Sequence, residues 1–272
     1  MKKITFLFLI FALFSLASFA QKVDTISVFS PKMGREIKNI VITPAEYGQN
    51  SGKKYPVIYL LNGYSGNHLT YINGVKKNLP EISSQKEIIF VCPDGQNSWY
   101  WDSPIDSKFQ FETYVSHELT AYIDKTYTTI ASSKGRAITG LSMGGHGALW
   151  LAINNPDIFG ACGSMSGGVD IRPFPNNWSM KDRLGKYADN KDIWDSHTVV
   201  EQLHKIQPNS LDIIIDCGID DFFYDVNCKL HEKMLHLNIP HDFISRPGAH
   251  TGEYWNNAID YQILFFEKFF KK

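Results

Sequence analysis

Residues 136–150 read RAITGLSMGGHGALW, and the placing of Ser142 within them decides how the chain folds. AIT (137–139) suits a buried strand and HGALWLAI (146–153) suits a helix, so Gly140-x-Ser142-x-Gly144 falls on a strand-to-helix turn. That is the form of a nucleophile elbow. The turn is tight, side chains at the flanking positions would collide with neighbouring backbone, and the serine hydroxyl is held exposed above a sheet. The pentapeptide alone proves little, so its context must decide.

Working outward, short continuous apolar runs recur: VIYLLN (57–62), EIIFVC (87–92), AITG (137–140) and LDIIIDCG (211–218). Such runs suit strands buried on both faces of a parallel sheet. Between them, FETYVSHELTAYIDKTY (111–127) puts Tyr114, Val115, Leu119 and Ile123 on one helical face. FYDVNCKLHEKMLHLN (223–238) does the same with Val226, Leu230, Met234 and Leu237. VDTISVFS (23–30) and KNIVITPAEY (38–47) alternate as half-buried strands do and predict an opening hairpin. The alternation of strand and helix predicts an α/β layered fold, a mostly parallel central sheet with helices on both faces, formed by residues 21–272 as one domain. Residues 169–198 break the rhythm, being polar with two prolines and two tryptophans, and are expected to form a lid or a binding wall.

The remaining features narrow the function. Residues 1–20 pair Lys2 and Lys3 with an apolar run and end in the small-residue site Ser18-Phe19-Ala20, the pattern of a signal peptide for a secreted or periplasmic protein. Once it is cleaved, no stable membrane insertion is expected. Lys and Arg number 27 against 28 Asp and Glu, and no basic stripe interrupts the balance, so nucleic acid is not an expected partner. None of the four cysteines has zinc-like spacing and the nine histidines do not cluster, so neither metal nor other cofactor is expected. Cys217 and Cys228 could pair, whereas buried free thiols suit the others.

A serine hydroxyl needs a base, and the base needs an acid to orient it. His250 lies in SRPGAHTGEYW (245–255), a loop between the last strand and the final helix, from which a side chain can project over the strand ends. His146 sits four residues past Ser142 and would point down the helix flank, and His231, His236 and His241 read as surface residues. IIIDCGIDDFFYD (213–225) offers Asp216, Asp220 and Asp221; Asp216 is still within the strand, and Asp221 is preferred to Asp220 because the turn must finish before a carboxylate reaches His250. An oxyanion would form near the free N–H groups at the start of the helix, which nominates Met143 N–H. A second donor is expected from the loop after an early strand, where Asn62-Gly63 turns the chain and leaves Tyr64 N–H facing the site. Trp99, Tyr100, Trp101, Trp178 and Trp194 could stack on a sugar or aromatic acyl group, or simply fill a loop core; Trp99, Trp101 and Trp178 are taken as the substrate-binding candidates.

VIYLLNGYSGN, VCPDGQNSWYWDSP, FETYVSHELTAYIDKTY, GRAITGLSMGGHGAL, SMSGG, DCGIDDFF and PGAH, in this order, make the chain resemble the esterase branch of α/β hydrolases. That branch includes S-formylglutathione hydrolases, carboxylesterases, and feruloyl and acetylxylan esterases of carbohydrate esterase family 1. The resemblance implies an α/β-hydrolase fold with Ser142 as nucleophile, Asp221 as acid, His250 as base, and Tyr64 and Met143 N–H as oxyanion hole. One departure is Asn62, where the family usually has histidine. Export argues against formylglutathione and favours acetyl or feruloyl esters on plant polysaccharides, a small-molecule or oligosaccharide substrate. The alternatives are an acyltransferase to a sugar hydroxyl, a thioesterase of the S-formylglutathione hydrolase kind, and a non-catalytic carbohydrate-binding protein.

Overall fold

Strand-forming runs pair as their apolar patterns require. In the computed structural model of the chain, which describes residues 22–49 and 52–272, β1 (Lys22–Ser30) and β2 (Arg35–Thr43) form the antiparallel opening hairpin. The signal peptide read over residues 1–20 lies outside the described residues. β3 (Val57–Leu61), β4 (Ile89–Pro93) and β5 (Arg136–Gly140) are buried at every position, as strands covered on both faces must be. With β6 (Ala161–Met165), β7 (Asp212–Gly218) and β8 (Asp242–Arg246) they complete an 8-stranded sheet in the order β1-β2-β4-β3-β5-β6-β7-β8, parallel from β4 onward. The chain goes from β3 to β4 on one side and returns to β5 on the other. Loops leaving β3 and β5 therefore diverge at the carboxyl ends of the strands and open a crevice there.

β6 has no apolar run in the sequence, because ACGSM is made of small residues. The physical reason is close approach: a Cβ on Gly163 would lie 1.7 Å from Gln262 Oε1. Gln262 belongs to α9 (Gly252–Phe269), which covers one face of the sheet with α1 (Leu79–Lys86). The other face carries α2 (Phe111–Thr113), a π-helical stretch Tyr114–Leu119, α3 (Thr120–Thr126), α4 (Met143–Asn154) and α8 (Tyr224–His236). Tyr114, Val115, Leu119 and Ile123 are buried as their spacing predicts. Val226, Leu230 and Met234 are too, but Leu237 is exposed because α8 ends at His236. α4 is buried from Met143 to Ile153, which makes it the central helix of the molecule.

Residues 169–198 hold two short helices, α5 (Lys181–Leu184) and α6 (Lys191–Ser196), and pack through Val169, Ile171, Met180, Leu184 and Trp194, all buried. Arg172 ties the segment down by pairing with Asp170, Asp195 and, on α7 (Val199–Gln202), Glu201. All four cysteines are free, so Cys217 and Cys228 are not paired.

Of the substrate-binding candidates, Trp99 and Trp101 fill a loop core instead. Trp99 and Trp101 are stacked on one another at 5.5 Å and 16°, and His146 sets its edge against both rings at 5.3 and 5.2 Å. Trp99, Tyr100, Trp101 and Trp194 have 1% exposure or less, leaving no face for a ligand. Trp101 Nε1 donates to His146 Nε2 at 2.9 Å, which puts the imidazole proton on Nδ1, where it is donated to Gly168 O at 2.9 Å.

Burial lowers the His146 pKa from 6.5 to about 3. Below pH 6.5 the unfolded chain takes up a proton that the folded ring refuses, so stability falls as pH falls across that window. The slope from this group should reach about 1.4 kcal/mol per pH unit in urea unfolding. Long-range 1H–15N spectra at pH 5 should show a neutral Nδ1–H ring; a doubly protonated ring there would contradict this account.

Candidate active site

β5 and α4 meet at Ser142 with almost no space between them. A Cβ on Gly140 would lie 2.4 Å from the Gly144 carbonyl carbon, and one on Gly144 would lie 2.2 Å from Leu61 O. Only glycines allow this approach. The compression leaves Ser142 at φ 56° and ψ −118°, a left-handed conformation that costs of order 1–3 kcal/mol for a side-chain-bearing residue. Its backbone is pinned on both sides: Ser142 N donates to Met165 O at 2.8 Å, and His146 N donates to Ser142 O at 3.1 Å.

The loops after β7 and β8 bring the other two groups. His250 Nε2 lies 2.9 Å from Ser142 Oγ, and His250 Nδ1 lies 3.0 and 2.8 Å from the two Asp221 oxygens. A carboxylate only accepts, so Nδ1 carries the proton and Nε2 presents its lone pair to the serine hydroxyl. Asp221 is fully buried at its side chain and also accepts from Phe223 N at 2.8 Å. The His250 ring is fixed between Phe222, 4.2 Å from its centre, and the edge of Trp255 at 4.9 Å. Asp220 is exposed, with its carboxylate 3.4 Å from Gly248 N, and does not meet His250. His146, His231 and His241 are likewise elsewhere, the last two bonded to each other at 2.7 Å.

Neither Met143 N–H nor Tyr64 N–H has an acceptor among the described residues. Met143 N–H opens α4 directly beside Ser142. The Tyr64 loop lies against the same residue, since a Cβ on Gly63 would stand 3.3 Å from Ser142 Cβ. Asn62, read in the sequence as part of the turn that leaves Tyr64 N–H facing the site, holds this loop through hydrogen bonds that the sequence did not show. Its Nδ2 and Gly66 N both donate to Gly63 O, at 2.9 and 3.0 Å. The carbonyl of the Gly63–Tyr64 peptide is thus held, and its N–H points the opposite way. Asn62 is anchored in turn by Gly95 N and the Tyr100 hydroxyl, at 2.9 and 3.0 Å from Oδ1.

Of the three tryptophans nominated for substrate, only Trp178 borders the site with part of its surface free. It stacks on Phe222 at 5.7 Å and 19°, and Phe222 is itself 52% exposed. Trp99 Nε1 holds Trp178 O at 3.1 Å, and the Tyr64 hydroxyl meets Ser179 Oγ at 2.9 Å, so the 169–198 segment is joined to the loop after β3. Phe222 escaped the sequence reading, where it was one aromatic in DDFF with no spacing to single it out. A cleft of about 1180 Å³ lined by Ile206, Leu237 and Phe269 lies at the amino ends of β5 to β8 and contains none of these groups.

A family model described as "Putative esterase" matches residues 30–266. An esterase of Mycobacterium tuberculosis is 27% identical over 78% of this chain, which spans about half (52%) of that relative's length. The diacylglycerol acyltransferase/mycolyltransferase Ag85B of Mycobacterium leprae is 28% identical, over 88% of this chain and 81% of its own. A solved ferulic acid esterase is 30% identical and superimposes with a TM-score of 0.78 over 93% of this chain and 99% of that one.

Because Gly144 faces the Leu61 carbonyl, Gly144→Ala should destabilise the protein by about 2 kcal/mol or more in denaturant unfolding. A loss below half that value would mean that β3 and α4 can separate without cost.

Proposed function

Since the chain belongs to the esterase family, we propose that it is an exported serine carboxylesterase acting through an acyl-enzyme. The observation that carries this reading is the unbroken path from Ser142 Oγ to His250 to the buried Asp221. Ser142 Oγ attacks the ester carbonyl carbon as its proton passes to His250 Nε2, and Asp221 stabilises the imidazolium that forms. The carbonyl oxygen becomes an oxyanion within reach of Tyr64 N–H and Met143 N–H. Collapse expels the alcohol, which takes the proton back from His250. Water then repeats the sequence, releasing the acid and restoring the serine.

Three features support acetyl or feruloyl esters of plant polysaccharides as the substrate class. The Trp178–Phe222 surface beside His250 offers aromatic faces to an aryl acyl group or a sugar. Residues 1–20 have the composition of an export signal. Relatives named as a ferulic acid esterase and as an acetyl esterase, the latter 25% identical over 74% of this chain, act in the same direction. The 169–198 segment then serves as a fixed wall of the site, since its buried side chains and the Arg172 pairs oppose lid movement. Among the described residues no helix is long and apolar enough to cross a membrane.

The mycolyltransferase relative favours a second reading, in which a sugar hydroxyl replaces water in the second half-reaction. Acylated trehalose or xylo-oligosaccharide formed in the presence of those sugars would select it. For the first reading, Ser142→Ala should lower p-nitrophenyl acetate hydrolysis by at least about 10³-fold. Equal rates in mutant and wild type would refute the serine mechanism. Failure on methyl ferulate and acetylxylan with good turnover of unrelated acyl esters would refute only the substrate.

A further inference from the structure

Three aspartates follow one another at the end of β7, and only Asp221 meets His250. Asp216 is completely buried within the strand and lies outside the path just described. A lone carboxylate in an apolar layer is costly unless donors meet its oxygens. Here both are met: the Tyr254 hydroxyl donates to Oδ1 at 2.5 Å, and the Arg246 guanidinium pairs with Oδ2. Burial pushes the Asp216 carboxyl up, and these two partners oppose that shift.

What matters is where the donors sit. Arg246 is the last residue of β8, and Tyr254 is in the first turn of α9. Between them runs the loop 247–251 that carries His250. A single carboxylate fixed on the sheet therefore grips both ends of that loop. The Tyr254 ring also packs under it, with a Cβ at Gly218 standing 2.2 Å from Gly248 O and 3.1 Å from Tyr254 Cε2. The acid-bearing turn is bonded to the same loop, Ile219 N to Arg246 O at 3.0 Å and Asp220 N to Gly248 O at 2.9 Å. The Arg246 guanidinium is held in turn over the rings of Tyr254 and Tyr261, at 5.3 and 4.3 Å.

We propose that Asp216, through Tyr254 and Arg246, is a positioning residue that sets the distance between His250 Nε2 and Ser142 Oγ. Asp221 governs the rotation and proton of the imidazole; Asp216 governs where the loop places it. The division follows from position and partners: Asp216 meets two donors beneath the loop, whereas Asp221 lies past the turn with its carboxylate turned to the ring. This inference rests on the reading of His250 as general base.

The test uses the two arms separately, so that a variant that fails to fold leaves the other. Tyr254→Phe and Arg246→Met should each lower kcat for p-nitrophenyl acetate about tenfold, with KM changed less than about twofold, because the loss is one of alignment. Arg246→Lys should restore most of the rate. In a His250→Ala background the same substitutions should leave the residual rate unchanged, there being no ring left to misplace. An equal proportional loss in both backgrounds is what general loosening would give and overturns the proposal, as does unchanged kcat in both single variants. Full activity of His250→Ala alone removes the general-base reading itself and this inference with it.

Discussion

The structure turns on the contact between the first turn of α4 and the end of β3. Gly144 sits so close to Leu61 O that no side chain fits, and Gly140 faces Gly144 across the same gap. That compression accompanies the left-handed conformation of Ser142 and starts α4 with the Met143 N–H directly beside it. It also seats the Gly63 turn against Ser142, next to Tyr64, whose N–H has no acceptor among the described residues. The candidate nucleophile and both candidate oxyanion donors thus share one packing constraint. The strain is held by the backbone bonds to Met165 and His146.

Around this point the protein uses burial and hydrogen-bond partners to give like residues different work. Three aspartates close together on β7 and its exit meet respectively an arginine and a tyrosine, a backbone amide, and an imidazole. Two histidines close to the elbow are separated in the same way. His146 is sealed among tryptophans with its pKa driven down, while His250 keeps a lone pair free toward Ser142. Tryptophan follows the rule as well: Trp99 and Trp101 are consumed in stacking, and their rigid pile supports Trp178, which retains a free surface beside Phe222.

Much of the fold was legible because it rests on local pattern. Continuous apolar runs marked β3, β4, β5 and β7, and helical spacing marked the buried faces of α8 and of the helix from Phe111 to Thr126. β6 was not legible, since close packing against α9 selects small residues there and erases the apolar signal. The face of α8 was overextended to Leu237, because spacing does not say where a helix stops.

By itself the sequence determined the parts of the candidate site that depend on chain order: a serine flanked by glycines at a strand-to-helix turn, then an acidic turn, then a histidine loop before the last helix. Tertiary structure alone decided which tryptophans keep a free surface, which peptide carbonyl Asn62 holds, and that Asp216 grips the loop of His250. The reason is that motif spacing is written along the chain, whereas burial and hydrogen-bond partnership are settled by residues far apart in it, 108 positions for Ser142 and His250. No local pattern records those meetings.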